Sequence, residues 1–188
     1  MGKTIVIQYI TIDGVVEDPN GADGTDFGGW AMRFGPEGVA GDKFRLGDMM
    51  QTGVLLFGRR TWDLFSTLWP PRTSDFALLM NAASKAVVTD TPIDTDAWSN
   101  STVIDGPLAD WVRTTIRDRD VVVIGSGSVV AALVDADLVD EYRLLTFPTA
   151  LGRGRALFPD GLQAELVSAE QVGPGTLSIY TTRPAAIR

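Results

Sequence analysis

The sequence predicts an α/β protein: a mostly parallel central sheet covered by helices on both faces, with an antiparallel hairpin at its C-terminal end. Three observations carry that expectation. Residues 54–57 (VLLF) and 121–124 (VVVI) are short, wholly apolar runs, the pattern of strands buried on both faces of a parallel sheet. Such runs alternate with segments of helical pattern, as in strand–helix–strand units. Gly173-Pro174-Gly175 separates two strand-like stretches, 166–169 and 176–181, and marks a hairpin turn.

Residues 3–12 (KTIVIQYITI) are rich in β-branched side chains and halt at Asp13-Gly14, so they read as a first strand ending in a turn. Residues 17–29 (EDPNGADGTDFGG) form a Gly- and Asp-rich loop, of a length usually reserved for function or disorder. A helix is expected over about 41–51, with Phe44, Met49 and Met50 as its apolar positions, although Gly47 weakens it by roughly 1 kcal/mol relative to Ala. After the strand at 54–57 a helix should begin near Thr61. Residues 85–89 (KAVVT) and 102–104 read as short strands and 107–117 (PLADWVRTTIR) as an amphipathic helix. The strand at 121–124 is followed by a helical segment over 129–134, and 141–146 (EYRLLT) is again strand-like. No repeat or long linker interrupts this series, so residues 1–188 are expected to form one domain.

Composition narrows the chemistry. The chain has no Cys and no His, which removes thiolate metal sites, cysteine nucleophiles and Ser-His-Asp catalysis; any acid or base must be a carboxylate, Lys, Tyr or ordered water. A formal charge of −8 opposes a phosphate-tracking surface, so no nucleic acid partner is expected. No apolar run approaches the roughly 20 residues that span a bilayer, and residues 1–10 lack the pattern of a signal peptide, so the expectation is a cytoplasmic protein without a membrane partner. The acidic residues Asp18, Asn20, Asp23 and Asp26 do not make a calcium loop, because Ala22 breaks the ligand frame and Gly29 stands where the terminal Glu belongs.

Two constellations could carry function. Gly58-Arg59-Arg60-Thr61-Trp62 lies between a buried strand and a helix start. Thr61 or a neighbour could cap that helix, whose N-terminal N–H groups favour a phosphate while the arginines add bidentate donors. A glycine turn followed by two solvated arginines is the plain alternative. The second is Gly125-Ser126-Gly127-Ser128, between strand and helix, where paired glycines allow close approach of backbone to a pyrophosphate. It lacks the third glycine of the Rossmann fingerprint, and a small-residue turn that packs strand on helix would look the same.

Together these motifs resemble a known superfamily. VLLFGRRTW is similar to the apolar strand and G-R-x-T-W signature of dihydrofolate reductases, and VVVIGSGS to their strand and paired-glycine loop. TIDGVVEDP near the start, and Thr146 with LGRGRALFP leading to Phe158-Pro159, resemble the reductase domain of bacterial riboflavin biosynthesis, the RibD C-terminal domain, and its stand-alone relatives. The resemblance implies a three-layer, dihydrofolate reductase-like fold of about eight strands with NADPH laid across it. Gly58, Arg59, Arg60 and Thr61 would face the phosphates, the arginines nearest the adenosine 2′-phosphate; Gly125, Ser126, Gly127 and Ser128 would cradle the pyrophosphate; Thr89 would lie beside the adenine ribose. Asp90 departs from the family pattern, and its carboxylate opposes a 2′-phosphate, which leaves the choice of NADPH or NADH open.

For catalysis, the family's spacing back from Arg59 reaches Asp42, a candidate for substrate binding and protonation, with a helix-start carboxylate as the alternative. Thr146 is a candidate for bonding substrate or its water. Trp62, Trp69, Trp98 and Trp111 read as packing, whereas Trp30 and Phe27, beside the acidic loop, could close over a planar heterocycle. The expected activity is NADPH-dependent hydride transfer to a small pterin- or pyrimidine-like heterocycle; a dinucleotide-binding protein without turnover is the alternative. A homodimer is expected, paired through the late antiparallel strands at 142–148 and 177–180.

Overall fold

The computed structural model describes residues 1–182. In chain order its elements are β1 (Thr4–Thr11), α1 (Gly35–Val39), α2 (Met49–Thr52), β2 (Val54–Gly58), α3 (Arg59–Leu68), α4 (Asp75–Ala82), β3 (Ser84–Val88), β4 (Ser101–Val103), α5 (Leu108–Thr115), β5 (Val121–Ile124), α6 (Gly127–Asp135), β6 (Glu141–Phe147), β7 (Glu165–Val172) and β8 (Gly175–Thr181). The strands form one eight-stranded sheet in the order β4-β3-β2-β5-β1-β6-β8-β7, mostly parallel and ending in an antiparallel hairpin. The described chain packs as two compact units, Met1–Val6 with Leu46–Asp140, and Ile7–Arg45 with residues 141–182.

In the first unit β2 runs parallel to both β3 and β5, and β3 parallel to β4. Val54 to Phe57 and Val121 to Val123 are buried without alternation, the signature of strands covered on both faces. Trp62 of α3, Ala77 and Met80 of α4, Val112 of α5, and Val129, Val130 and Leu133 of α6 complete this core. Burial of the Trp62 indole is compensated by its Nε1, which donates to Ser101 Oγ at 3.0 Å. One cation lies in this core. Lys85 is 1% exposed, and its ammonium donates to the backbone oxygens of Asn81, Ala83 and Ser99 while standing 4.5 Å from the Trp98 ring centroid. Burial alone pushes its pKa down to about 8.

In the second unit β6 and β7 flank β8, both antiparallel to it, and Gly173, at φ +59°, makes the hairpin turn. Trp30, Ala31, Leu145, Phe147, Val172 and Leu177 form its core. Inside this unit the loop at 17–29 is organised by one side chain. Asp18, 2% exposed, accepts from the backbone N–H of Asp23 and Thr25 and from the Thr25 hydroxyl, and its own carbonyl accepts from Gly21 and Gly29. At the end of β1 the Asp13 carboxylate accepts from the Leu151 and Gly152 N–H groups and so fastens the 149–155 loop.

Three expectations are corrected here. No helix spans 41–51: Gly41, Arg45 and Gly47 all have positive φ, which an α-helix cannot hold, and only Met49–Thr52 is helical. Arg143 fixes that irregular path, since its Nη1 donates to the carbonyls of Phe44 and Arg45 while its Nε pairs with Glu141 at 2.7 Å. Trp30 is fully buried, not poised over a ligand; its ring packs edge-on to Phe147 and its Nε1 donates to the Glu17 carbonyl at 2.8 Å. The strands expected to pair two protomers instead finish the core, because Tyr142, Leu144, Leu145, Phe147 and Leu177 are buried and β8 is not an edge. The edge at this end of the sheet is β7, where Leu166 and Val167 are 55% and 61% exposed.

Candidate functional site

Both glycine motifs fall at strand-to-helix junctions of the first unit, β2 to α3 and β5 to α6, on neighbouring parallel strands. Parallel neighbours end on the same side, so the two helix starts emerge side by side. α3 begins at Arg59 with Gly58 as its N-cap, so Thr61, one of the caps considered from sequence, is its third residue. α6 begins at Gly127, after Gly125 and Ser126, which both have φ +58°. Two successive left-handed residues turn the chain sharply out of β5, and the second is a serine, in a conformation that costs a side chain about 1–2 kcal/mol.

The Ser126 hydroxyl compensates for that conformation. Its Oγ accepts from the Gly58 N–H at 2.8 Å and lies 3.1 Å from Thr61 Oγ1 and 3.0 Å from the Ile124 carbonyl. Ser126 therefore stitches the second junction to the first. The packing there leaves little room: a Cβ on Gly58 would meet Val129 Cγ2 at 3.3 Å and Ser126 Cβ at 3.4 Å, and one on Gly125 would meet Thr61 at 3.4 Å. Neither helix start carries a side-chain cap, so the positive ends of two helices face one locality, rimmed by half-buried Arg59 and exposed Arg60 and Ser128. The donor set fits a diphosphate, with backbone N–H groups for its oxygens and guanidinium charge at the rim.

At the end of β3, half-buried Thr89 begins a tight turn. Its hydroxyl donates to the Thr91 carbonyl at 2.8 Å and accepts from the Thr91 N–H at 3.1 Å, leaving Asp90 exposed at the apex. Arg59 reaches this turn. Its Nε faces both Asp63 oxygens at 2.9 and 2.8 Å, and its Nη1 donates to Thr91 Oγ1 at 2.6 Å and to the Pro92 carbonyl at 3.1 Å. All nine residues proposed from sequence to hold the cofactor thus lie in this unit, on the C-terminal ends of β2, β3 and β5 and the helix starts beyond them.

The residues proposed for substrate and catalysis belong to the second unit. Asp42 is half-buried in irregular chain. Thr146 is half-buried on β6, opposite Thr176 of β8. Phe27 is half-buried with the Arg153 guanidinium 5.2 Å from its ring, and Arg153 also pairs with Asp26 at 2.9 Å. Sequence reasoning missed two contributors. Asp63 and Thr91 each engage Arg59, and Asp63 was legible as the carboxylate four residues further along the helix.

The eight-stranded, mostly parallel sheet with its C-terminal antiparallel hairpin has the dihydrofolate reductase-like fold. The chain belongs to the RibD C-terminal domain family, whose model matches residues 3–178. It is 25% identical to the uncharacterized protein YyaP of Bacillus subtilis, over 94% of this chain and 93% of that one. Among solved structures, it superposes on a putative riboflavin biosynthesis protein from Shewanella with a TM-score of 0.70 at 19% identity, covering 96% of this chain and 99% of the other. A pyrimidine reductase-like protein from Corynebacterium diphtheriae superposes with a TM-score of 0.59 at 12% identity, covering 98% and 93%. Acinetobacter baumannii RibD gives 0.62 at 16% identity, where 97% of this chain covers 58% of the longer protein. These structural likenesses establish the fold. Among the described residues no helix is long and apolar enough to cross a membrane.

Proposed function

We propose that this protein is an NADPH-dependent reductase that transfers a hydride to a small pyrimidine- or pterin-like heterocycle. Membership of a family of reductases supports the reaction class. The single observation that carries the cofactor is the pair of glycine junctions stitched by Ser126 to Gly58 and Thr61, with two helix starts turned toward one place. In this reading Gly125, Ser126, Gly127 and Ser128 take the pyrophosphate, Gly58 and Thr61 position the first helix against it, Arg59 and Arg60 supply charge at the adenosine end, and Thr89 borders the ribose. When bound, the reduced nicotinamide supplies the hydride. The chain's own work is to bind and orient, because with neither His nor Cys present it has only carboxylates, lysines, hydroxyls and ordered water to relay the accompanying proton. Asp42 and Thr146 are the polar groups assigned to substrate or its water, and Phe27 is its aromatic contact.

The test is to titrate the protein with NADPH and then follow loss of reduced-nicotinamide absorbance with pyrimidine and pterin candidates. Binding followed by turnover supports the proposal. Binding without oxidation by any candidate favours a dinucleotide-binding protein that has no turnover.

A further inference from the structure

We propose that Arg59 is a positioning residue of this site, and not the reader of a 2′-phosphate: it clasps the turn after β3 to the first turn of α3 and so sets where the adenosine end of a dinucleotide is held. The inference rests on the dinucleotide reading above and assigns one of its arginines a different duty.

The guanidinium has three nitrogens, and two are committed within the protein. Nε faces both oxygens of Asp63, one helical turn along α3. Nη1 lies 2.6 Å from Thr91 Oγ1 and 3.1 Å from the Pro92 carbonyl. A planar fork serving a carboxylate on one side and a turn on the other holds a direction as well as a charge. Its charge is also matched, since Asp63 accepts from it at salt-bridge distance and Asp90 stands exposed on the same turn. An arriving 2′-phosphate would meet a locality where Asp63 and Asp90 offset the two arginines.

The target of the clasp is not arbitrary. Gly58 lies opposite Val88 in the parallel register of β2 and β3, so Arg59 and Thr89 are the residues that directly follow two adjacent strands. Thr89 and Thr91 close their own turn through the Thr89 hydroxyl, which makes the turn a compact body that one arginine can hold. Arg60, exposed on the same helical turn, brings the motif's other positive charge. On this account the first arginine of the G-R-R-T-W motif carries no preference for NADPH.

The experiment measures affinity for both NADPH and NADH in wild type, Arg59→Ala, Arg59→Lys, Thr91→Val and the Arg59→Ala/Thr91→Val double variant, with thermal unfolding to confirm that each is folded. Arg59→Ala and Thr91→Val should each weaken NADPH and NADH by the same factor, about tenfold, as expected for losing a charge-assisted hydrogen bond. The double variant should be no weaker than the worse single one, because both changes open the same clasp. Lysine should not rescue, since it keeps the charge and loses the fork. The proposal is overturned if Arg59→Ala weakens NADPH at least tenfold more than NADH, or if Arg59→Lys restores NADPH binding while Thr91→Val has no effect. Failure of wild type to bind either nucleotide overturns the dinucleotide reading itself, and this role with it. That outcome is separable, because it appears before any variant is made.

Discussion

Replacing Ser126 separates backbone strain from side-chain bonding at the centre of the site. Ser126 has φ +58° and ψ +59°, a left-handed conformation that costs a residue with a Cβ about 1–2 kcal/mol and glycine almost nothing. Its hydroxyl meanwhile accepts from the half-buried Gly58 N–H, and removing that acceptor costs about 1–3 kcal/mol. Ser126→Ala keeps the strain and loses the bond, so it should destabilise by about 1–3 kcal/mol. Ser126→Gly loses the same bond but relieves the strain, so it should be more stable than the alanine variant by about 1 kcal/mol. At this chain length that difference corresponds to about 2–4 °C in melting temperature. Urea unfolding and thermal melts read it directly, and NADPH titration reads the second consequence: both variants release the junctions from each other, so both should bind the dinucleotide more weakly than wild type. An alanine variant as stable as the glycine variant would refute the left-handed assignment. Wild-type stability and affinity in both would refute the latch.

Further outcomes follow from the same physics. Lys85→Met leaves three backbone carbonyls without their donor and should destabilise by about 1–3 kcal/mol. The folded ammonium releases its proton near pH 8 whereas an unfolded lysine holds it to about 10.5, so Lys85's unfavourable contribution fades as pH rises. The stability of wild type relative to Lys85→Met should therefore increase from pH 7.5 to 9.5, and a flat difference would contradict the burial argument. Burial of the Asp18 carboxylate would raise its pKa, yet its hydrogen bonds from Asp23 and Thr25 hold it below the usual value, so the stability it adds is present above the unfolded pKa and is lost as pH falls through the folded one. Asp18→Ala should open the 18–29 loop to limited proteolysis at neutral pH, and unchanged cleavage would show that the carboxylate does not hold the loop. A homodimer remains our proposal, moved to the β7 edge with its exposed Leu166 and Val167: light scattering should give twice the 20.2 kDa chain mass, reduced to the single-chain value by Val167→Asp. A wild-type mass of 20.2 kDa would end that proposal.

The parts of the fold legible in sequence are those where one local pattern dominates. The buried runs of β2 and β5, the glycine junctions after them and the Gly173 hairpin all read directly, because apolar continuity and turn chemistry act over a few residues. What escaped depends on distant partners. The segment around Asp42 has acceptable helical composition, yet Arg143, about a hundred residues away in sequence, holds the carbonyls of Phe44 and Arg45 in an irregular path. Trp30 sits next to a polar loop, and only the arrival of Phe147 and the Glu17 carbonyl makes it core. α4 is apolar throughout much of its length and shows little periodicity; its one local signal is Ser74, whose side chain accepts from Ala77 N–H as an N-cap. In the site, the glycines and arginines of the two motifs were visible, but their division of labour was not. Whether a serine hydroxyl faces a ligand or a neighbouring backbone N–H is decided by the approach of β2 to β5 and leaves no mark in either motif alone.

The central claim is that the two stitched junctions hold a nicotinamide dinucleotide, and calorimetric titration of the wild-type protein with NADPH tests it most directly. A saturable isotherm at one site per chain, with a dissociation constant in the micromolar to millimolar range and a melting temperature that rises with NADPH concentration, is the predicted result. No heat of binding and no rise in melting temperature at millimolar NADPH or NADH would contradict it.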